Sequence, residues 1–197
     1  WNSKNRGFAG GVNTGIRHAI EQGYRYIALL NNDAVADNNW VKHLVDELKN
    51  DKSLGSVTCS LLSENGNKYD STGDYYTTWG LPYPRGRGEK AKGQYDNDQY
   101  IVAVSGGASM FKADFFNDVG LYDEDFFAYY EDVDLGLRGQ LRGWSSKFVP
   151  KAKVFHATGS TSSRVPGFTT YQTLKNLPWI IIKNVPLRHI FSISIRF

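Results

Sequence analysis

A single cysteine, Cys59, stands among the 197 residues, so the chain can close no disulfide within itself. That economy suits a reducing compartment. No run of about 18 apolar residues is present, the length that would cross a bilayer. Neither sign of charge dominates: the formal net charge is +3, too small a surplus to argue for nucleic acid. Internal repeats and low-complexity blocks are also lacking, which leaves no solenoid or fibrous reading. What remains is a composition of 41% hydrophobic and 22% charged residues, ordinary for a globular chain of one domain with at most a tail.

The first 60 residues alternate. Val12, Ile16, Ala19 and Ile20 have helical spacing, and Gly23 stops the pattern. Tyr26 to Leu30 is a short apolar run bounded by polar residues, a strand that the spacing predicts as buried. Trp40, Val41, Leu44, Val45 and Leu48 return to helical period, and GSVTC (55–59) is again a strand. Such αβαβ order predicts an α/β fold, a mostly parallel mixed sheet flanked by helices. Residues 62–100 are rich in Gly, Tyr, Asp and Asn and read as one long loop with a hairpin. A loop of that length in a compact domain is usually functional, and its many aromatics argue against disorder. YIVAVSGGASMFKADFF (100–116) is a strand, a Gly-Gly turn, a short strand and a helix start. Residues 131–142 form a helix ended by Gly143, and 147–160 hold one or two strands.

Five constellations could carry chemistry. The strand Tyr26 to Leu30 runs into Asn31, Asn32 and Asp33. A carboxylate at a strand's carboxyl end can hold a hard cation, although Asn and Asp are also plain turn residues. Glu131, Asp132 and Asp134 lie within four residues at a helix start, directly after FFAYY. Acids suit a helix N-terminus in any protein, and Asp134 with Arg138 is an ordinary (i, i+4) pair. Four aromatics before them, however, make a better pocket wall than a solvated cap, and a carboxylate in such a wall can act as a general base. His156 follows an apolar strand; beside Asp33 it would complete an oxygen and nitrogen site for a cation such as manganese. NRGFAGGVNTG lacks the dinucleotide spacing and a Walker lysine, so its glycines are either a phosphate cradle or a tight helix entry. Gly106 and Gly107 permit close approach of a ligand or form a bulge. His18 and His43 fall on solvated helix faces.

In order and spacing, NRGFAGGVNTG, LLNNDA, RGRGEKAKGQY, SGGASMF, VGLYDEDFFAYYEDVDLGLR and VFHATGS resemble the family 2 glycosyltransferases, in particular their rhamnosyltransferase-like branch, over roughly residues 2–185. The resemblance implies a GT-A fold and inverting transfer. It implies a nucleotide-diphosphate sugar donor, a saccharide or lipid-linked saccharide acceptor, and Mg2+ or Mn2+. Asp132 then falls on the base, paired with Glu131. Asp33 and His156 fall on the metal ligands. Asn5, Gly7, Asn13, Asn31, Asn32, Gly106, Gly107, Ala108 and Arg138 fall around donor and acceptor, and the loop from Arg87 to Tyr95 folds over the site. The family's acidic strand-end motif is reduced here to Asp33 alone, with Asn31 and Asn32 beside it; neutral amides keep the site from becoming too acidic for a diphosphate.

The family opens with a strand and helix for the nucleobase, and this chain begins without them, so an N-terminally truncated domain of reduced competence is expected. Residues 1–165 would be the catalytic domain. Residues 166–197, aromatic, apolar and basic around Trp179 to Ile182, would be a helical tail, either lying in a membrane interface or packed on protein. A cytoplasmic location is expected, peripheral at the inner face of the plasma membrane under the first of these. Two other functions share these features: a nucleotidyltransferase of similar architecture, and a carbohydrate-binding domain that uses the aromatic loop alone.

Overall fold

The computed structural model describes residues 2–157 and 165–194, so the last three residues of VFHATGS lie outside the described residues. In chain order the elements are α1 (Gly7–Glu21), β1 (Tyr26–Leu30), β2 (Ala34–Ala36), α2 (Trp40–Asn50), β3 (Leu54–Ser63), β4 (Tyr69–Ser71), β5 (Asp74–Tyr76), β6 (Pro82–Pro84), β7 (Gln99–Ile101), β8 (Ala108–Lys112), α3 (Ala113–Val119), a 3-10 turn (Glu124–Phe126), α4 (Glu131–Leu141), β9 (Ser145–His156), α5 (Phe168–Asn184) and α6 (Leu187–Ser194). Helices α1, α2 and α4 match the periodicity in the sequence. The buried positions of α2, Trp40, Leu44 and Leu48, recur every fourth residue, and α1 stops at Gly23, whose φ of 75° only glycine adopts readily.

One sheet joins seven strands in the order β1-β8-β3-β9-β2, with β4 added to β3 and β7 to β9. β3 and β9 run parallel, Val57 opposite Lys147 and Ser63 opposite His156. The remaining described pairs of this sheet are antiparallel. The expected mixed sheet flanked by helices is therefore present, with a smaller parallel share. The reason is β8, which inserts antiparallel between β1 and β3. β1 lies at the edge instead of the centre, and only Ile27 along it is buried.

Alternate residues separate two cores, as the two-residue period of a strand requires. Val57, Cys59, Leu61, Met110 and Val154 pack under α2 on one face. Ile27, Phe111 and Phe148 pack with Ala9 and Ile16 of α1, Phe115 and Phe116 of α3 and Leu135 of α4 on the other. β3 is buried along nearly its whole length, so its hydroxyls need partners inside. Ser56 bonds Ser146 at 2.8 Å and Thr58 donates to the Ala108 carbonyl at 2.8 Å. Cys59 is buried and its thiol is pushed up to about 12 by burial, which leaves it inert as a nucleophile.

The stretch expected as a long loop folds around an arginine. Arg85 is buried, and its guanidinium lies over the rings of Tyr95 (4.7 Å), Phe148 (4.9 Å) and Tyr75 (5.6 Å). It donates to the Thr72 carbonyl. The short strands β4, β5 and β6 hang on this centre, and their 3-residue lengths left no periodicity to detect. α4 crosses close over residues 102–103: a Cβ on Gly136 would lie 2.5 Å from the Ala103 Cβ and 2.6 Å from the Val102 carbonyl oxygen. Gly136→Ala is therefore expected to destabilise the fold by about 1–3 kcal/mol, measured as a lower urea midpoint at unchanged slope.

Candidate functional site

A cleft of about 530 Å³ opens where five segments converge. Asn31, Asn32 and Asp33 follow β1; Asn5, Gly7 and Phe8 begin α1; Ser105, Gly106 and Gly107 precede β8. Phe127 to Tyr130 lead into Glu131 and Asp132 at the start of α4, and Asp74, Pro82, Tyr83, Pro84 and Arg87 come from the β5–β6 region. Phe168 of α5 closes the aromatic side.

The strand ends are tied to one another. Asn31 N–H donates to the Gly107 carbonyl at 2.9 Å, and Ala157 N–H to the Asp33 carbonyl at 3.0 Å. His156 pairs with Ala34 of β2 and Ser63 of β3. That register sets its imidazole between two carboxylates: Nδ1 is 2.9 Å from Asp70 Oδ2 and Nε2 is 3.0 Å from Asp33 Oδ1. The hydrogen bond with Asp70 is the main cause of a raised imidazole pKa, opposed by burial and reinforced by the charges of both carboxylates. Asn31 Nδ2 lies 3.4 Å from the same Nε2.

Across the cleft, Asp132 Oδ2 accepts from the Gly106 N–H at 3.2 Å and Oδ1 from the Val133 N–H at 2.9 Å. Gly106 allows this approach, since a Cβ there would sit 2.9 Å from the Phe8 ring. Burial raises the Asp132 pKa while these backbone N–H groups lower it. Glu131 and Asp74 are raised well above ordinary carboxylate values, in both cases mainly by burial and next by the charge of Asp132. Glu131 Oε2 is buried without a hydrogen-bond partner, as suits a protonated acid.

Gly7 is held in place by its neighbours. Its φ is 69°, its N–H is capped by Asn5 Oδ1 at 2.9 Å, and a Cβ would lie 2.2 Å from the Phe127 carbonyl oxygen. The first turn of α1 carries no acidic residue, and its Gly7 and Phe8 line the cleft.

Four residues expected at the site are not among its lining: His156 stands behind Asp33, which it meets at 3.0 Å, and the other three face elsewhere. Asn13 is buried and clamps the chain near Tyr122, donating to its carbonyl at 2.8 Å and accepting from its N–H at 3.1 Å. Ala108 is buried within β8 under α2. Arg138 binds Asp134 at 2.8 Å and the carbonyls of Val119 and Leu121 at 2.9 and 2.8 Å. Each is occupied in holding the frame. Of the loop from Arg87 to Tyr95, Arg87 alone lines the cleft; Tyr95 turns inward onto Tyr69 and Arg85. Asp70 and Asp74 were not anticipated. Both sit in the Gly- and Tyr-rich stretch, but only the pairing of β4 with β3 and the contact of Asp74 with Ala103 show which way they point.

The family described as "Glycosyltransferase like family 2" matches residues 2–174. An N-acetylglucosaminyl-diphospho-decaprenol L-rhamnosyltransferase of Mycobacterium tuberculosis is 41% identical over 63 residues, which are 32% of this chain and 20% of that protein. The dTDP-rhamnosyl transferase RfbF of Shigella flexneri is 26% identical over 196 residues, 93% of this chain and 63% of that one. The chain thus spans less than two thirds of either relative. Among solved structures, GalNAc-T7 with UDP, GalNAc and Mn2+ superposes with a TM-score of 0.65 at 19% identity, covering 91% of this chain and 35% of that one. That likeness establishes a GT-A-like fold.

The raised Asp74 carboxyl has a consequence for stability. Above 3.8, the unfolded chain ionises this group while the folded chain keeps its proton, so the folded state binds more protons and stability falls as pH rises through that window. Asp74→Asn removes the penalty. Its urea midpoint is expected to exceed that of the parent at neutral pH and to converge with it below pH 3.8.

Proposed function

The chain belongs to glycosyltransferase-like family 2, and on that premise we propose that its cleft moves a sugar from a nucleotide-diphosphate donor to a hydroxyl of a saccharide or lipid-linked saccharide acceptor. The transfer inverts the anomeric carbon, with Asp132 as general base. Rhamnose carried by dTDP is the donor this reading favours, because two relatives are named for rhamnosyl transfer. The observation that carries the proposal is the pairing, in one cleft, of a half-buried carboxylate with a raised pKa and an amide-lined strand end beside a helix N-terminus without acids.

The chemistry follows from these residues. The donor's diphosphate lies toward Asn5, Gly7, Asn31 and Asn32, where side-chain amide N–H groups and the α1 dipole favour an anion. Asp132 accepts the proton of the acceptor hydroxyl as its oxygen bonds to the anomeric carbon; the bond to phosphate breaks on the opposite face. A pKa raised by burial brings this carboxylate nearer the operating pH, where a base is most effective. Glu131, protonated beside it, adds no second negative charge. Tyr83, Phe127, Tyr129, Tyr130 and Phe168 offer flat apolar faces to the acceptor sugar, and Arg87 and Asp74 offer polar groups.

Asp33 and His156 would hold a Mg2+ or Mn2+ ion. Asp33 would supply a carboxylate oxygen and His156 its Nε2 on giving up its proton, with Asp70 on Nδ1 orienting the ring. Among the described residues no group of three or more His, Cys, Asp or Glu side chains could hold a metal, so the remaining positions would come from the diphosphate and water. A cation there supplies charge that stabilises the departing diphosphate.

Residues 1–165 carry the transfer in this reading, and 166–197 meet the membrane. No described helix is long and apolar enough to cross a bilayer. α5, however, buries Gln172, Asn176 and Asn184 and exposes Tyr171, Leu174, Trp179 and Ile182. A helix with amides inside and apolar side chains outside favours peripheral contact with the inner face of the plasma membrane, where a lipid-linked acceptor would reside.

Transfer is tested with UDP-, GDP- and dTDP-sugars and Mn2+. Asp132→Asn is expected to lower turnover about 100- to 10,000-fold while donor affinity stays near that of the parent; surviving turnover would remove Asp132 as the base. Asp33→Ala should lose the metal-dependent thermal shift, worth about 2.7 kcal/mol at a hundredfold excess of ligand over its Kd. Trp179→Ser with Ile182→Ser should reduce co-sedimentation with anionic lipid vesicles and leave transfer to a water-soluble acceptor intact. Equal co-sedimentation would count against the membrane contact.

A further inference from the structure

Three non-glycine residues among those described have left-handed backbone: Phe127 (φ 63°), Tyr129 (φ 69°) and Tyr130 (φ 70°). They fall within four residues and all are aromatic, a type that rarely adopts this conformation. Tyr130 is the N-cap of α4, so its dihedrals aim the first turn of that helix, and with it Glu131 and Asp132, into the cleft. Strained backbone persists only where its surroundings over-determine it. The question is what holds this segment.

The answer lies 50 residues away on α5. Asn176 is fully buried, and its Nδ2 lies 2.9 Å from the Phe126 carbonyl oxygen, 2.9 Å from that of Ala128 and 2.7 Å from that of Tyr129. Three converging acceptors settle the orientation of the amide, since only its NH2 can meet them. Its Oδ1 is left buried without a hydrogen-bond partner, a cost the site accepts for the donor end. The grip continues through neighbours. Tyr129 Oη meets Thr169 Oγ1 at 2.9 Å, and the Phe168 ring packs edge-on against Phe127 and Tyr129. From the other side the Ala9 N–H donates to the Phe127 carbonyl at 3.2 Å.

We propose that Asn176 is a positioning residue for the transfer reaction: it locks residues 126–130 in their left-handed path and so holds Asp132 against the Gly106 N–H. The inference rests on Asp132 being the base. Without the amide, the Ala128 and Tyr129 carbonyls lose this donor and the Phe126 carbonyl keeps only the Ala128 N–H, the segment relaxes toward ordinary backbone, and the first turn of α4 rotates. An error of about 1 Å in such a group is enough to cost about 100-fold in rate. α5 is by this account part of the active site's frame.

The test compares Asn176→Ala and Asn176→Ser with the parent chain in two readouts. Amide hydrogen exchange is expected to rise about tenfold or more across 126–132 in Asn176→Ala while the amides of β3 and β9 keep their protection. With dTDP-rhamnose, Mn2+ and the acceptor identified in the transfer assay, kcat should fall about 10- to 100-fold and donor affinity stay within about twofold. Asn176→Ser, which retains one donor, should lie between. Unchanged exchange at 126–132 overturns the proposal. So does a loss of donor affinity and sheet protection in step with kcat, or the failure of both variants to fold, since either marks a merely structural residue. If the parent transfers no sugar at all, the proposed function fails, and the exchange readout still decides the clamp.

Discussion

The parallel pairing of β3 with β9 is the constraint on which the remaining architecture depends. Its two strands carry helices on both faces, and its far end sets His156 opposite Ser63 on one side and Ala34 on the other. A shift of one residue would turn the imidazole to the other face of the sheet and separate it from both Asp33 and Asp70. The register also tolerates a bulge between Cys59 and Ser60, where Ser60 Oγ donates to the Pro150 carbonyl at 3.2 Å. The proline, which cannot donate to a ladder, is thereby accommodated inside a long strand.

The cleft reconciles two electrostatic demands. The base proposed here must be anionic, yet the ligand proposed for the opposite wall is itself an anion. The chain separates them. Asn31 and Asn32 and the acid-free first turn of α1 stand on one side. On the other, buried Glu131 and Asp74 are crowded against half-buried Asp132, and all three carboxyls are raised above their ordinary values. Close packing of like charges away from water leaves a single anion as the favoured state. Placing these groups also demands backbone that side chains resist, which is why glycine occupies position 7 and why the aromatic segment before Glu131 must be held from outside.

α5 joins these themes. Beside the core residue Ile180, its inner face carries Asn176, which meets carbonyls of the aromatic segment, and Asn184, which donates at 2.9 Å to Asp134, a fully buried acid on α4. Its outer face exposes Tyr171, Leu174, Trp179 and Ile182 beside Lys175 and Lys183. A helix of this polarity is poorly suited to water on its outside, and its buried amides rank it with the site more than with the hydrophobic cores.

Much of this was legible in the residues. Periodicity located α1, α2 and α4, because a helix writes its buried face into local spacing. The order of motifs pointed to the family, and Asn31, Asn32, Asp33, Gly106, Gly107, Glu131 and Asp132 do meet in one cleft. Asn13 and Arg138 misled because a polar side chain near a motif looks the same whether it faces a ligand or a carbonyl of its own chain. Asp70, Asp74, Arg85 and Asn176 left no local signal, since each acquires its role from a partner more than ten residues distant. Composition and spacing alone thus determined the layered α/β class, helices α1, α2 and α4, and Asp33, Glu131 and Asp132 as candidate acids. The tertiary structure decided the edge position of β1, the antiparallel insertion of β8, the imidazole between two carboxylates and the clamp on the aromatic segment. The physical reason is that strand order, burial of charge and left-handed backbone are settled by contacts between distant segments, whose energies appear in no local pattern of residues.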